Sequence, residues 1–305
     1  MRTPDNNEGT RSGFAVIAGK PNVGKSTLLN ALVGEKVAIV SPKPNTTRNR
    51  ISGIITRDDA QAVFLDTPGI HRPRDMLNRR LVKTAFASIS EVDVILMMVV
   101  AGHKTDDIEK TIAEKASETR AKKFLLINKV DRVEKPSILP EIEERAEALG
   151  PFDEIVPTSA LKGFNLDTVA KLVFESLPDG PHYYPDDTYT DLPEKFIAAE
   201  MIREQVFVVT QKEVPYATAV TVEEWTEKSR HIFVRARIHV ERNSQKGIVI
   251  GNRGEKLKQI GVAARLEIEK MLGTKIYLEL FVDVVPKWRR NSNMLDRLGY
   301  PEAES

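Results

Sequence analysis

Residues 19–26 read Gly-Lys-Pro-Asn-Val-Gly-Lys-Ser, the G-x-x-x-x-G-K-S spacing of a phosphate-binding loop. An apolar run at 14–18 precedes the loop and a helix-forming run at 26–33 follows it. In that context backbone N–H groups turn toward phosphate oxygens, and the positive end of the following helix faces the same anion. Gly19, Lys20, Pro21, Asn22, Val23, Gly24 and Thr27 would then line the phosphates. Lys25 would reach the β- and γ-phosphates, and Ser26 would hold Mg²⁺.

Three further segments complete a guanine-nucleotide site. Asp66-Thr67-Pro68-Gly69 ends an apolar run at 62–65; Asp66 suits Mg²⁺ through a water, and the Gly69 N–H suits the γ-phosphate. Asn128-Lys129-Val130-Asp131 ends another run. The Asp131 carboxylate can accept from guanine N1–H and the 2-amino group, a pair adenine lacks, so adenine would leave a desolvated carboxylate unpaired. Asn128 ties this loop to the phosphate loop, and the Lys129 stem lies along the base. Ser159-Ala160-Leu161 can offer a backbone N–H to guanine O6. The loop at 41–48 should carry the threonine that closes the Mg²⁺ shell: Thr47, which directly precedes Arg48, with Thr46 as the alternative. The expected chemistry is thus phosphoryl transfer from GTP, with Lys25, Thr47, Asp66 and Gly69 as the catalytic set and Ser26, Thr47 and Asp66 on the metal. Ile70 follows Gly69 where a water-orienting glutamine often stands, so unassisted hydrolysis should be slow.

From 14 to 177, strand-like runs (14–18, 62–66, 94–101, 124–128, 154–157) alternate with helical patterns (26–33, 77–90, 107–119, 138–149, 166–177). That alternation predicts an α/β domain with a mainly parallel sheet, helices on both faces, and its site at the strand C-termini. Residues 178–193 hold four prolines and read as a linker. Beyond it, a helix capped by Asp191 to about 208, strands near 217–224 and 231–241, a helix from 255 ended by Gly273, and a strand at 275–284 predict a small α+β domain. Ile232, Val234, Ala236, Ile238 and Val240 alternate with Phe233, Arg235, Arg237 and His239 across two faces of its second strand. The expected boundaries are a flexible tail at 1–12, a first domain at 13–178, a linker at 179–192 and a second domain at 193–305.

The chain has 305 residues and no cysteine, which excludes a disulfide framework, thiolate metal sites and a cysteine nucleophile. The longest apolar run, 94–101, is too short to span a bilayer. The net charge of +1 divides unevenly: residues 1–192 carry 26 Lys and Arg against 28 Asp and Glu, and residues 193–305 carry 19 against 16. The second part is mildly basic, consistent with a nucleic-acid partner but too weak to argue one.

Residues 19–26, Lys43-Pro44-Asn45-Thr46-Thr47-Arg48 and Asp66-Thr67-Pro68-Gly69-Ile70-His71 resemble the bacterial Era GTPases, and the resemblance runs from about 13 to 300. Residues 245–254, Gln-Lys-Gly-Ile-Val-Ile-Gly-Asn-Arg-Gly, carry a G-x-x-G loop between two helical patterns, where a type II KH domain has one. Tyr183-Tyr184-Pro185 and Trp288-Arg289 resemble the same family; Asn45 stands where it commonly has glutamine. Two glycines let backbone N–H groups approach a sugar-phosphate chain, and an apolar groove beside them takes unstacked bases. Lys246, Gly251, Asn252, Arg253, Gly254, Lys256 and Lys258 are the RNA candidates; the alternative is a plain turn between helices with solvated lysines. The resemblance implies a P-loop GTPase domain followed by a KH domain, binding GTP or GDP with Mg²⁺. It also implies a partner in the 3′ region of 16S ribosomal RNA and the 30S particle, with no DNA. It implies a cytoplasmic monomer with peripheral contact at the inner face of the membrane. Some GTPases with a similar loop hold K⁺ through the asparagine at the position of Asn22; the alternative is that Asn22 pins the loop by local hydrogen bonds. A GTPase of another class (tRNA modification or translocation) and an RNA-binding module with a vestigial nucleotide site stay open beside this reading.

Overall fold

The computed structural model describes residues 9–57, 59–133 and 138–303. The first half folds as β1 (Arg11–Gly19), α1 (Lys25–Val33), β2 (Ile51–Arg57), β3 (Ala60–Asp66), α2 (Met76–Ser90), β4 (Val94–Val100), α3 (Asp107–Ser117), β5 (Lys122–Asn128), α4 (Ile138–Leu149), β6 (Glu154–Thr158) and α5 (Leu166–Glu175). The sheet order is β2-β3-β1-β4-β5-β6, parallel throughout except for β2, which runs antiparallel to β3. Central strands are covered on both faces, which is why they read as unbroken apolar runs. In β4, Val94, Leu96 and Met98 face one core with α1 and α5; Ile95, Met97 and Val99 face the other with α2, α3 and α4.

Strand β2 is not among the expected strands. Gly53 interrupts its apolar pattern, but the packing requires a glycine there: a Cβ would sit 2.6 Å from Leu29 Cδ1 and 2.7 Å from Val33 Cγ2 of α1. At the other end, residues 1–8 of the expected tail lie outside the described residues. The rest of that tail is structured. Strand β1 begins at Arg11, and the Thr10 carbonyl accepts from Gly180 N at 3.0 Å.

The expected linker is a strap fastened to the first domain. Gln61, fully buried, accepts from the N–H groups of Tyr183 and Tyr184 at 2.8 and 2.9 Å and donates to the Tyr184 carbonyl at 2.9 Å. Ile54 N donates to the Tyr189 carbonyl at 2.9 Å. Asp191 does not cap the next helix. It accepts from the hydroxyls of Ser52 and Tyr184 instead, and Pro193 occupies the cap position with no side-chain hydrogen bond.

The second half is α6 (Glu194–Val209), β7 (Ala219–Lys228), β8 (His231–Val240), α7 (Asn243–Ile250), α8 (Glu255–Leu272), β9 (Ile276–Val284) and α9 (Ser292–Arg297). Its sheet, β7-β8-β9, pairs β7 with β8 antiparallel and β8 with β9 parallel. Ile260, Ala264 and Ile268 of α8 and Ile202 of α6 are fully buried against Val234, Ala236 and Ile238 of β8. Gly273 ends α8 in the left-handed conformation, φ 64°.

The segment after β9, for which no element was expected, joins the two halves. Trp288 is fully buried, donates from Nε1 to the Ala217 carbonyl at 3.0 Å and stacks on Tyr300. Leu295 and Leu298 pack with Leu77 and Leu81 of α2. Beside them the buried Arg80 donates to Asp296 and to the Tyr300 carbonyl, both at 2.6 Å.

Candidate functional site

The C-terminal ends of β1, β3, β5 and β6 deliver the four sequence segments to one cleft of about 600 Å³. The phosphate loop takes its shape from three backbone constraints. Gly24 has φ 113°, and a Cβ there would lie 2.3 Å from Asn128 Nδ2. Asn22 is left-handed at φ 63°, a region asparagine tolerates. Gly69 approaches so closely that a Cβ would sit 2.6 Å from Pro21 N.

Lys25 is the first residue of α1 and is buried. Its ammonium donates to the carbonyls of Gly19 (3.2 Å) and Lys20 (2.9 Å). Burial lowers its pKa to about 8, against the pull of Asp66. Asp66 has no exposed surface, and burial raises its pKa to about 6 against Lys25 and the hydroxyls of Ser26 and Thr47. Burial penalises the charged form of both groups, a penalty that a polyphosphate and a divalent metal would offset. Ser26 Oγ donates to Asp66 Oδ2 at 2.5 Å and lies 2.9 Å from Thr47 Oγ1, which is 3.4 Å from the same carboxylate oxygen. Asp66 Oδ1 is buried with no hydrogen-bond partner among the described residues. Two hydroxyls and a half-satisfied carboxylate form a hard-oxygen donor set that fits Mg²⁺. Thr46, the alternative, turns its hydroxyl away to the Lys43 carbonyl at 2.8 Å.

At the base end, Asn128 Nδ2 donates to the Val23 carbonyl at 2.7 Å, and its Oδ1 accepts from Ala160 N at 2.9 Å. One amide therefore ties three loops together. Ser159 Oγ donates to Asp131 at 2.5 Å, and this bond holds the carboxyl below its ordinary range. Lys129, left-handed at φ 68°, donates from Nζ to the Asn22 carbonyl at 2.6 Å. Thr67 Oγ1 anchors its loop on the Ile17 carbonyl at 3.0 Å, and Leu161 stands exposed at the rim.

Lys20 is placed differently from the expectation. Its side chain points to the start of α3, at 2.6 Å from Asp106 and 2.9 Å from Glu109, so only its backbone belongs to the phosphate loop. The Asn22 amide donates to the Pro42 carbonyl at 2.8 Å, a local bond of the kind weighed against potassium binding. His71, not singled out from sequence, has its ring nitrogens 2.7 Å from the Gly69 carbonyl and 2.6 Å from Asn78 Oδ1, bracing the segment after Gly69 against α2. Its place two residues beyond Gly69 was the available signal.

In the second half, Gly251 (φ 74°) and Gly254 (φ 82°) bracket a turn that opens α8, with Arg253 also left-handed. Asn252, Arg253, Lys256 and Lys258 are exposed there, and Lys246 lies on α7. From Gly254 a groove of about 430 Å³ runs between α8 and β9. Leu257, Gly261, Val262, Leu278 and Leu280 line it, with Lys258 and Arg265 as its basic groups. Of these, only Gly254 and Lys258 were among the RNA candidates. The lining from β9 reads in sequence as ordinary strand.

Comparison with known proteins agrees in both halves. Residues 14–129 match a model described as 50S ribosome-binding GTPase, and residues 213–289 match the KH domain. The chain is 52% identical over 292 residues to GTPase Era of Geobacter metallireducens, covering 95% of this chain and 98% of that one. GTPase Era of Geotalea uraniireducens is 52% identical over 291 residues, with the same coverage. The chain belongs to the Era family of GTPases. Among solved structures, Era in complex with MgGDPNP and nucleotides 1506–1542 of 16S ribosomal RNA superposes with a TM-score of 0.92 at 41% identity, over 96% of this chain and 99% of that one. A variant of Aquifex aeolicus Era bound to GDP·AlF4⁻ gives the same TM-score and identity over 96% and 100%.

The Asp131→Asn variant should lose about tenfold to a hundredfold in GTP affinity and gain affinity for xanthosine triphosphate, because an amide can donate to the xanthine C2 carbonyl. Titration with both nucleotides checks this; unchanged GTP affinity would remove Asp131 from the base site.

Proposed function

We propose that this chain hydrolyses GTP at the cleft around Asp66 and binds the 3′ region of small-subunit ribosomal RNA through its KH domain, acting in 30S subunit assembly. The observation that carries the RNA half is the groove beside Gly254: an apolar floor for bases, basic groups for phosphates and a helix start at one end. The relative solved with nucleotides 1506–1542 of 16S ribosomal RNA supports the choice of RNA.

In this reading Ser26, Thr47 and Asp66 hold Mg²⁺, with Asp66 acting through a water; bound there, the metal offsets charge on the β- and γ-phosphates. Lys25 spans the same oxygens, and the Gly69 N–H meets the γ-phosphate, where the space beside Pro21 admits no side chain. Ile70 is buried in the core and offers water no hydrogen bond, so activation comes from outside this segment. In this reading the protein works as a monomer in the cytoplasm, with peripheral contact at the inner membrane face. No helix among the described residues is long and apolar enough to cross a membrane.

Gly254→Asp tests the RNA half: a Cβ there meets no atom within 4 Å, and because the left-handed φ of 82° strains any side chain, the thermal midpoint is measured alongside. We expect about tenfold weaker binding of the 1506–1542 RNA by fluorescence anisotropy, with GTP affinity unchanged, because the carboxylate faces phosphate. RNA affinity equal to the parent's would remove this loop from the interface.

A second reading concerns potassium. Asn22 lies in the cleft lining beside Gly24 and Lys25, where a monovalent cation could offset developing charge. Turnover should then be faster in KCl than in NaCl at equal ionic strength, and Asn22→Ala should abolish the difference. Equal rates in the two salts would leave Asn22 its bond to Pro42 alone.

A further inference from the structure

The loop that carries Thr47 is gripped by the second domain along its length. Lys36 pairs with Glu204 of α6 at 2.6 Å, and Glu204 also accepts from Val40 N at 2.9 Å. Lys43 Nζ donates to the carbonyls of Phe207 and Thr210. Arg203, fully buried in α6, donates to the Thr46 carbonyl at 2.6 Å.

Arg48 makes more hydrogen bonds to the second domain than any other residue of the loop. It is 3% exposed, and its guanidinium donates to the carbonyls of Thr218 (2.6 Å), Tyr216 (3.1 Å) and Pro215 (3.2 Å), all in the second domain. The rings of Phe207, Trp288 and Tyr300 surround it at 5.8 to 6.0 Å. Among the described residues, no ion pair neutralises it. A guanidinium held by carbonyl dipoles and aromatic faces gives up water for fixed partners of similar strength, so it specifies a geometry more than it adds stability.

Thr47 therefore lies between two residues that the second domain holds: Thr46 by its carbonyl and Arg48 by its side chain. Its hydroxyl reaches Ser26 and Asp66 from that clamp. We propose that Arg48 is a positioning residue for GTP turnover: docked in the second domain, it sets the backbone that aims Thr47 at the metal and γ-phosphate. The seat of the KH domain then decides whether the nucleotide site can tell GTP from GDP. The proposal rests on the assignment of Thr47 to the Mg²⁺ shell.

The test uses the full chain and three single variants, Thr47→Ala, Arg48→Ala and Arg203→Met. Affinities for GDPNP and GDP in Mg²⁺, kcat and KM for GTP, and the thermal midpoint are measured for each. Arg48→Ala should weaken GDPNP by about tenfold and lower kcat, while GDP affinity moves by less than about twofold. Arg203→Met acts from the other domain on the neighbouring carbonyl and should reproduce that pattern. The double variant should lose less than the sum of the two, because both act on one loop. A merely structural role would lower GDPNP and GDP affinity together with the thermal midpoint, and that result overturns the proposal. So does a GDPNP-to-GDP affinity ratio in Arg48→Ala equal to the parent's. If Thr47→Ala itself leaves that ratio unchanged, the Thr47 assignment is wrong and the proposal falls with it; a change in Thr47→Ala but not in Arg48→Ala rejects the positioning role alone.

Discussion

A carboxylate with no exposed surface stands at the end of β3, and the nucleotide cleft is organised around it. An ionised carboxylate out of water is costly unless charge or hydrogen bonds meet it. Ser26 and Thr47 meet one oxygen of Asp66; the other has no partner among the described residues. Nearby, Lys25 gives its hydrogen bonds to the phosphate loop's own carbonyls. The protein thus keeps an anion and a cation close together, each penalised by burial, in a site that a divalent metal and a polyphosphate complete.

The sheet makes that arrangement possible. Parallel strands covered on both faces bring their C-terminal ends to one edge of the domain, so loops remote in sequence can share a cleft. Asn128 converts this proximity into rigidity: its amide bridges the β1, β5 and β6 loops, and Gly24 must lack a Cβ to let it in. The second domain extends the same logic to the loop before β2, whose backbone has no strand partners of its own between α1 and Ile51.

Much of this was legible in the sequence because the chemistry restricts residue type at fixed spacing. Gly24, Lys25, Ser26, Asp66, Asn128 and Asp131 lie together in the fold as their motifs imply, and the unbroken run of β4 announces a strand buried on both faces. What stayed hidden depends on contacts between distant segments. Gly53 looks like an interruption until Leu29 and Val33 are packed against it. Gln61 reads as an ordinary polar strand residue, but its three hydrogen bonds to Tyr183 and Tyr184 fasten the strap. Lys20 belongs to the loop by motif, but Asp106 and Glu109 draw its side chain away. The aromatic surround of Arg48 comes from three separate stretches of chain, which no local pattern reveals.

The most direct test of the central claim is a Mg²⁺ titration of GDPNP binding in the Asp66→Asn full chain. If the buried carboxylate is where metal and switch loop meet, Mg²⁺ should no longer tighten GDPNP, while preference for guanine over adenine nucleotides should persist through Asp131. Mg²⁺ enhancement equal to that of the parent would contradict the account.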